Sequence, residues 1–272
     1  MLALATALAT PVFAADPDAG SEVIVTGTRM TGVKAADSAA PIEVVSTAAL
    51  KRVGQPDLIQ ALSQNLPSFN AQGYGNDAAA LTLSAALRGV SPNDTLVLIN
   101  GKRRHTTGNL SVDGGSPYSG SATTDLGLIP VAAIDHVDVL LDGAAAQYGS
   151  DAIAGVVNFT LKSADHGGSA TATAGQYYHT GGKTGAWSIN DGAPLGDKGF
   201  VNFTLEEKYH EFSREGGADR RLSNPDGTTK GSVSAVDLGF LNYPGAPNMN
   251  NINGDPKYNI YNAFVNTGYD LG

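Results

Sequence analysis

Three rhythms of hydrophobic and polar residues follow one another along the chain. Glu22-Val23-Ile24-Val25-Thr26-Gly27 is an isolated β-prone hexamer between polar linkers, and residues 30–40 read as loop. Residues 41–46, Pro-Ile-Glu-Val-Val-Ser, read as a strand. Leu50, Val53, Leu58, Ile59, Leu62 and Leu66 then recur at helical spacing over residues 48–66, and Pro56 splits that run into two helical pieces joined near Gly54. Strands are predicted over 83–90 and 95–100, joined by the turn Ser91-Pro92-Asn93-Asp94, with a further turn at Asn100-Gly101. Residues 107–126, rich in Gly, Ser, Thr, Asn and Asp, read as an exposed loop. A short helix over 131–134, a strand over 137–141, turn and helix over 144–154 and a strand over 156–162 follow. Together these predict a small α+β unit, a mixed sheet with short helices.

After His166 the period becomes two. Segments 169–178, 184–190, 200–212 and 258–269 alternate, separated by the turns Gly181-Gly182-Lys183 and Gly196-Asp197-Lys198-Gly199 and by a long polar stretch over 214–257. Segments of about ten residues with short turns and one long loop are the pattern of a transmembrane β-barrel. Composition points the same way: charged residues make up 16 % of the chain, and there are 34 Gly. No run reaches the ~18 apolar residues of a transmembrane helix, so entry into a membrane would be as a barrel.

Charge and targeting narrow the compartment. The net charge is −9, with 17 Lys and Arg, and the one basic run is Lys102-Arg103-Arg104-His105; a phosphate-neutralising surface is not expected, nor nucleic acid as a partner. There is no Cys, which excludes disulfides and thiol–metal sites. An apolar run from Leu2 to Leu8 precedes Val12 and Ala14, small residues at the −3 and −1 positions of a cleavage site. This predicts a secretory signal peptide over 1–14, partial because its basic start is missing.

Enzyme motifs fail in detail. Gly182-Lys183-Thr184 resembles the end of a phosphate loop, but Tyr177 stands where Gly is required. Gly114-Gly115-Ser116-Pro117-Tyr118 misses the final Gly of a nucleophile elbow. The five His residues lack ligand spacing, and Asn250-Asn251-Ile252-Asn253-Gly254-Asp255 lacks the EF-hand pattern. The expectation is no enzyme, no metal and no cofactor.

Two blocks carry a resemblance. One is Leu87-Arg88-Gly89-Val90 followed by Thr95-Leu96-Val97-Leu98-Ile99-Asn100-Gly101. The other is Ile134-Asp135-His136-Val137-Asp138-Val139-Leu140 followed by Tyr148-Gly149-Ser150-Asp151-Ala152-Ile153-Ala154-Gly155-Val156-Val157-Asn158. In order and separation they resemble the plug domain of TonB-dependent outer-membrane receptors, over about residues 22–163. The resemblance implies a plug inside a barrel of about 22 strands. It implies TonB as the energy-coupling partner, outer-membrane lipid around the wall, and a scarce small-molecule ligand such as an iron–siderophore complex. Glu22, Val23, Ile24, Val25, Thr26 and Gly27 are then similar to a TonB box, an extended segment that adds to another protein's sheet. Arg88 and Asp138 are the expected plug–barrel contacts; the family's usual Arg after the Val-x-Val-Leu strand is replaced here by Leu141-Asp142-Gly143. Asn109, Tyr118 and Asp125, in the 106–126 loop, are the expected substrate-facing residues.

The expected organisation is a partial signal peptide at 1–14, a linker with the TonB box at 15–37, the plug at 38–163 and an N-terminal portion of the barrel at 164–272. The 109 residues from 164 onward fall short of the roughly 220 that 22 strands need, so an incomplete barrel is expected. The alternatives are a truncated product working as a soluble periplasmic binding module, a non-functional gene fragment, and a surface adhesin or structural β-protein.

Overall fold

Ser46 ends one strand and starts one helix. Its side chain accepts a hydrogen bond from the Ala49 N–H (3.3 Å), capping α1 (Thr47–Arg52) directly after β3 (Ile42–Ser46). The computed structural model describes residues 23–24, 33–34, 41–53, 58–73, 81–110, 112, 119–141, 144–178, 181–213, 218–226, 228–231 and 255–272. Two short strands precede β3, β1 (Val23–Ile24) and β2 (Val33–Lys34), paired antiparallel. The second helical piece is α2 (Leu58–Asn65), whose Leu58, Ile59, Ala61 and Leu62 are buried. Two helical pieces therefore stand where the periodicity and Pro56 place them; residues 54–57 lie outside the described set.

The plug is built on a five-stranded mixed sheet of order β3-β8-β9-β6-β7. Its members are β6 (Thr95–Ile99), β7 (Lys102–Arg103), β8 (Ile134–Leu140) and β9 (Gly155–Leu161) beside β3. Only β6 and β9 run parallel, Thr95 opposite Gly155 and Ile99 opposite Phe159. The short helix α3 (Ala145–Tyr148) and a 3₁₀ turn at Ser150–Ala152 lie between β8 and β9. A separate hairpin pairs β4 (Phe69–Gly73) with β5 (Leu83–Leu87). Side chains of both helices, both sheets and the 126–134 segment form one core that includes Leu50, Leu62, Phe69, Leu87, Ile129, Val139, Val157 and Phe159. Burying side chains of this size contributes roughly 1.5–3 kcal/mol each before entropy is counted.

Some expectations are revised. β4 is a strand that the sequence pattern does not predict, because Phe69-Asn70-Ala71-Gln72-Gly73 carries no β-branched residue. The strand expected over 83–90 stops at Leu87: Arg88 (φ 57°) and Gly89 (φ 71°) turn the chain, and the Val90 N–H donates to the Leu87 carbonyl (3.1 Å). β8 begins three residues before the expected 137. Gly181 to Lys183, expected as a turn, form the start of the eleventh strand.

The second sheet has order β10-β11-β12-β13: β10 (Gly168–Tyr177), β11 (Gly181–Leu195), β12 (Gly199–His210) and β13 (Tyr258–Tyr269). A three-residue turn, Gly196-Asp197-Lys198, makes β11 and β12 an antiparallel hairpin. By contacts the chain falls into two compact units. One holds Ala7–Ala172, Trp187–Glu207 and Ile260–Gly272; the other holds Met1–Thr6, Thr173–Ala186 and Lys208–Asn259.

Candidate functional site

β12 has its sidedness inverted relative to a soluble sheet. Asn202, Thr204, Glu206, Lys208 and His210 are buried, whereas Phe203 and Leu205, on the opposite face, are 37 % and 44 % exposed. β11 repeats this, with Ser188 and Asn190 buried and Trp187 and Ile189 exposed; on β13 Asn262 is buried while Tyr261 (71 %) and Val265 (68 %) are exposed. Water would reverse that order. A wall with an apolar outer surface and a polar interior fits a hydrocarbon surround and a lined lumen. Among the described residues no helix is long and apolar enough to cross a membrane.

Within the first unit, polar side chains join the plug to this wall. Asn100 and Gly101 both take positive φ (49° and 73°), as a type I′ hairpin between β6 and β7 requires. That turn aims the Asn100 side chain at two elements. Its Oδ1 accepts from the Leu161 N–H (2.8 Å), and its Nδ2 donates to Oδ1 of Asn266 on β13 (3.1 Å). Asn266 donates in turn to the Lys162 carbonyl (2.9 Å). Lys162 Nζ donates to Asn190 Oδ1 (3.3 Å), and Asn190 Nδ2 donates to Asn202 Oδ1 (2.6 Å) and Thr204 Oγ1 (2.8 Å). Asn202 closes the seam on the Ala164 carbonyl (3.4 Å). Burial, then the Lys51 charge, pulls the Lys162 ammonium down to about 8, with Asp135 acting against both. Arg104 lies over the Phe264 ring of β13, 5.9 Å from its centroid, and Arg103 pairs with Asp151 and donates to the Tyr148 carbonyl (2.9 Å).

The residues singled out from sequence separate into distinct places. Asp138 is fully buried at the middle of β8, opposite Val44 and Asn158. Asn158 Nδ2 donates to Asp138 Oδ2 (3.3 Å) while Asn158 Oδ1 accepts from the Gly101 N–H (2.9 Å), and His136 Nε2 lies 3.7 Å from Asp138 Oδ1. These neighbours all belong to the plug. Arg88 is exposed on its turn, in a left-handed conformation that costs a non-glycine residue roughly 1–2 kcal/mol. Asp125 caps the 3₁₀ turn at Leu126–Leu128: its Oδ1 accepts from the N–H groups of Gly127 (2.9 Å) and Leu83 (3.3 Å), tying the loop to β5. Asn109 donates to Thr82 Oγ1 (2.8 Å). Of the hexamer, Val23 and Ile24 pair with Lys34 and Val33; Glu22, Val25, Thr26 and Gly27, and likewise Tyr118, lie outside the described residues. Sequence reasoning does not find Asn100, Lys162, Asn190 and Asn266 as seam residues. Asn-Gly at 100–101 is visible as a turn, but nothing local shows where its amide points.

A plug domain tied by hydrogen bonds to a β-wall with an apolar outer face defines a plug-bearing outer-membrane β-protein as the class. The profile of the TonB-dependent Receptor Plug Domain family matches residues 34–156. Vitamin B12 transporter BtuB of Photobacterium profundum is 27 % identical over 286 aligned positions, covering 99 % of this chain and 44 % of the relative. The iron-regulated outer membrane virulence protein of Vibrio cholerae is 31 % identical over 124 positions, 45 % of this chain and 17 % of the relative. Among solved structures, the ferric enterobactin receptor PfeA (mutant R480A_Q482A) of Pseudomonas aeruginosa shares the fold, with a TM-score of 0.54 at 22 % identity over 68 % of this chain and 28 % of that one. The siderophore receptor PirA of Acinetobacter baumannii gives a TM-score of 0.51 at 22 % identity over 66 % and 27 %. Residues 34–156 thus match the plug domain of TonB-dependent receptors, and the chain is similar, over part of their length, to outer-membrane proteins that carry such a plug. It spans less than half the length of the curated relatives it matches.

Proposed function

We propose that this chain is the plug-bearing part of a receptor that takes up a scarce nutrient across the outer membrane, driven by TonB. The observation that carries the reading is the seam: a plug held in a lined wall by uncharged amides around Lys162, a contact that rearranges without exposing a strong ion pair. The cargo we assign is an iron–siderophore complex or a similar bulky ligand. The similarity to a vitamin B12 transporter and to siderophore receptors supports that class. Asn109 and Tyr118 are the loop residues we assign to face the ligand. Asp125 is assigned to holding that loop on β5. Arg88, kept in a strained conformation and exposed, is the cation we assign to a wall carboxylate, whereas Asp138 acts from inside the sheet through Asn158.

TonB is proposed to grip Glu22 to Gly27 by strand addition. Val23 and Ile24 already take β-structure with Val33 and Lys34, which supports an extended segment suited to strand exchange. The test is uptake in cells carrying Val25→Pro, together with binding of a Glu22–Gly27 peptide to the TonB C-terminal domain. Proline removes one backbone donor. Uptake is expected to fall to the background of a TonB-deficient strain while the amount of receptor in the outer membrane is unchanged. Wild-type uptake by Val25→Pro, or a peptide that does not bind, removes the coupling claim.

A further inference from the structure

β13 meets β12 with no tight turn to fix where it lies. The three-residue turn between β11 and β12 sets their register, whereas the long stretch over 211–257 leaves the register of β13 to the strands themselves. Two bonds show the register taken. The Asp270 N–H donates to the Lys198 carbonyl (3.1 Å), and Asn262 Nδ2 donates to Glu206 Oε1 (3.1 Å). Each step forward on β12 is matched by a step back on β13, so Phe200 stands opposite Gly268, Gly199 opposite Tyr269 and Asn202 opposite Asn266.

Both aromatic rings lie over the glycine they face. A Cβ placed at Gly268 would lie 2.7 Å from Phe200 Cε1, and its three nearest neighbours, out to 3.5 Å, are all atoms of that ring. A Cβ at Gly199 would lie 2.5 Å from Tyr269 Cδ2, as well as 2.7 Å from the Leu195 carbonyl oxygen and 2.9 Å from that of Gly268. The two pairs occupy opposite faces of the sheet. Phe200 shares the face of Asn202 and Thr204, and Tyr269 shares that of Tyr261 and Val265.

This arrangement discriminates between registers. A slip of one residue would turn Asn262 and Asn266 to the apolar outer face, so sidedness alone opposes it. A slip of two residues keeps the sidedness, and polarity does not resist it. One such slip sets Phe200 against Asn266 and Tyr269 against Asp197; the other sets Phe200 against Asp270 and Tyr269 against Val201. Neither gives a ring its glycine. Either would also carry Asn266 about 7 Å along the strand, out of reach of Asn100 and of the Lys162 carbonyl.

We propose that Phe200 on Gly268 and Tyr269 on Gly199 form a register lock, which fixes β13 against β12 and so holds Asn266 where the Asn100 turn of the plug meets the wall. A ring seated on a cross-strand glycine covers backbone that the glycine leaves bare, and pins the pairing there.

Disulfide trapping in outer-membrane vesicles tests this, since the chain has no Cys of its own. Only directly opposite positions bring Cβ atoms close enough to bridge. The pair Phe203→Cys with Val265→Cys reports the described register, and Phe203→Cys with Ala263→Cys or with Thr267→Cys reports the two slips. Relative to the first product, a slipped product is expected to rise about twofold to thirtyfold in Phe200→Ala/Tyr269→Ala, the range that two cross-strand pairs supply. Tyr261→Ala, on the outer face of β13 and facing no glycine, is expected to leave the ratio unchanged. An unchanged ratio in the double variant overturns the proposal, and so does an equal rise in Tyr261→Ala. Should the double variant not reach the membrane, exchange of the pair decides: Phe200→Gly with Gly268→Phe is expected to recover the described cross-link that Phe200→Gly alone loses, and an exchange no better than Phe200→Gly overturns the lock. No readout uses a ligand or TonB, so failure leaves the uptake reading untouched.

Discussion

At Gly155 the backbone takes φ 141°, and a Cβ placed there would lie 2.3 Å from the Leu140 carbonyl oxygen and 2.8 Å from Leu87 Cδ1. Both neighbours are core, and one is backbone, so neither gives way cheaply. Gly155→Ala is expected to destabilise the plug by about 3 kcal/mol or more, the sum of strain and overpacking. A denaturant titration followed by hydrogen exchange of β8 and β9 checks it, and stability within about 1 kcal/mol of wild type contradicts the packing described (compare the ~0.5 kcal/mol of ordinary surface changes). Such residues are only half legible in sequence. The Gly in Ala154-Gly155-Val156 is readable as a turn glycine; that it accommodates the Leu140 carbonyl of the neighbouring strand needs the β8–β9 register. Asp125 shows the opposite: an acid in a polar loop reads as a ligand-facing group, while its carboxylate is bonded to two plug N–H groups.

Elements divide by how local their cause is. α1 and α2 follow from apolar spacing and a capping Ser, and β6, β8 and β9 from β-branched runs, so these are predictable to within a few residues. β4 forms because β5 is there to pair with it, and the long-range seam forms because β13 reaches the Asn100 turn, 166 residues away in sequence. No window of sequence contains both partners. The element joining the sheets also has its own pH response. The lowered value of Lys162, about 8, means that between there and its ordinary 10.5 the folded chain has shed a proton the unfolded chain still holds. Since the unfolded state binds more protons in that window, stability rises with pH across it. Midpoints measured across the window from about 8 to 10.5 are expected to show the increase in the wild type and to lose that component in Lys162→Met. An identical slope in both sinks the assignment.

Over the whole molecule the outward apolar face of β11 to β13 makes a prediction of place. Leu205→Arg puts a guanidinium on the lipid side, at a cost of about 2–4 kcal/mol near the membrane midplane. Less folded protein in the outer-membrane fraction is expected, whereas Thr204→Ser, on the buried polar face, leaves that fraction unchanged; equal recovery of the two argues against a lipid-facing wall. The topology of the plug has a mechanical corollary. Among the described residues β3 is an outermost strand of its sheet, paired with β8 alone, from Ile42 opposite Leu140 to Ser46 opposite His136. Tension entering through residue 41 therefore loads a single five-residue ladder from its first rung. The rungs are then expected to open in succession, like a zip, with the β8-β9-β6 interior intact while the edge peels away. A strand at the centre of the sheet, sheared along two ladders at once, would need far more force for the same extension.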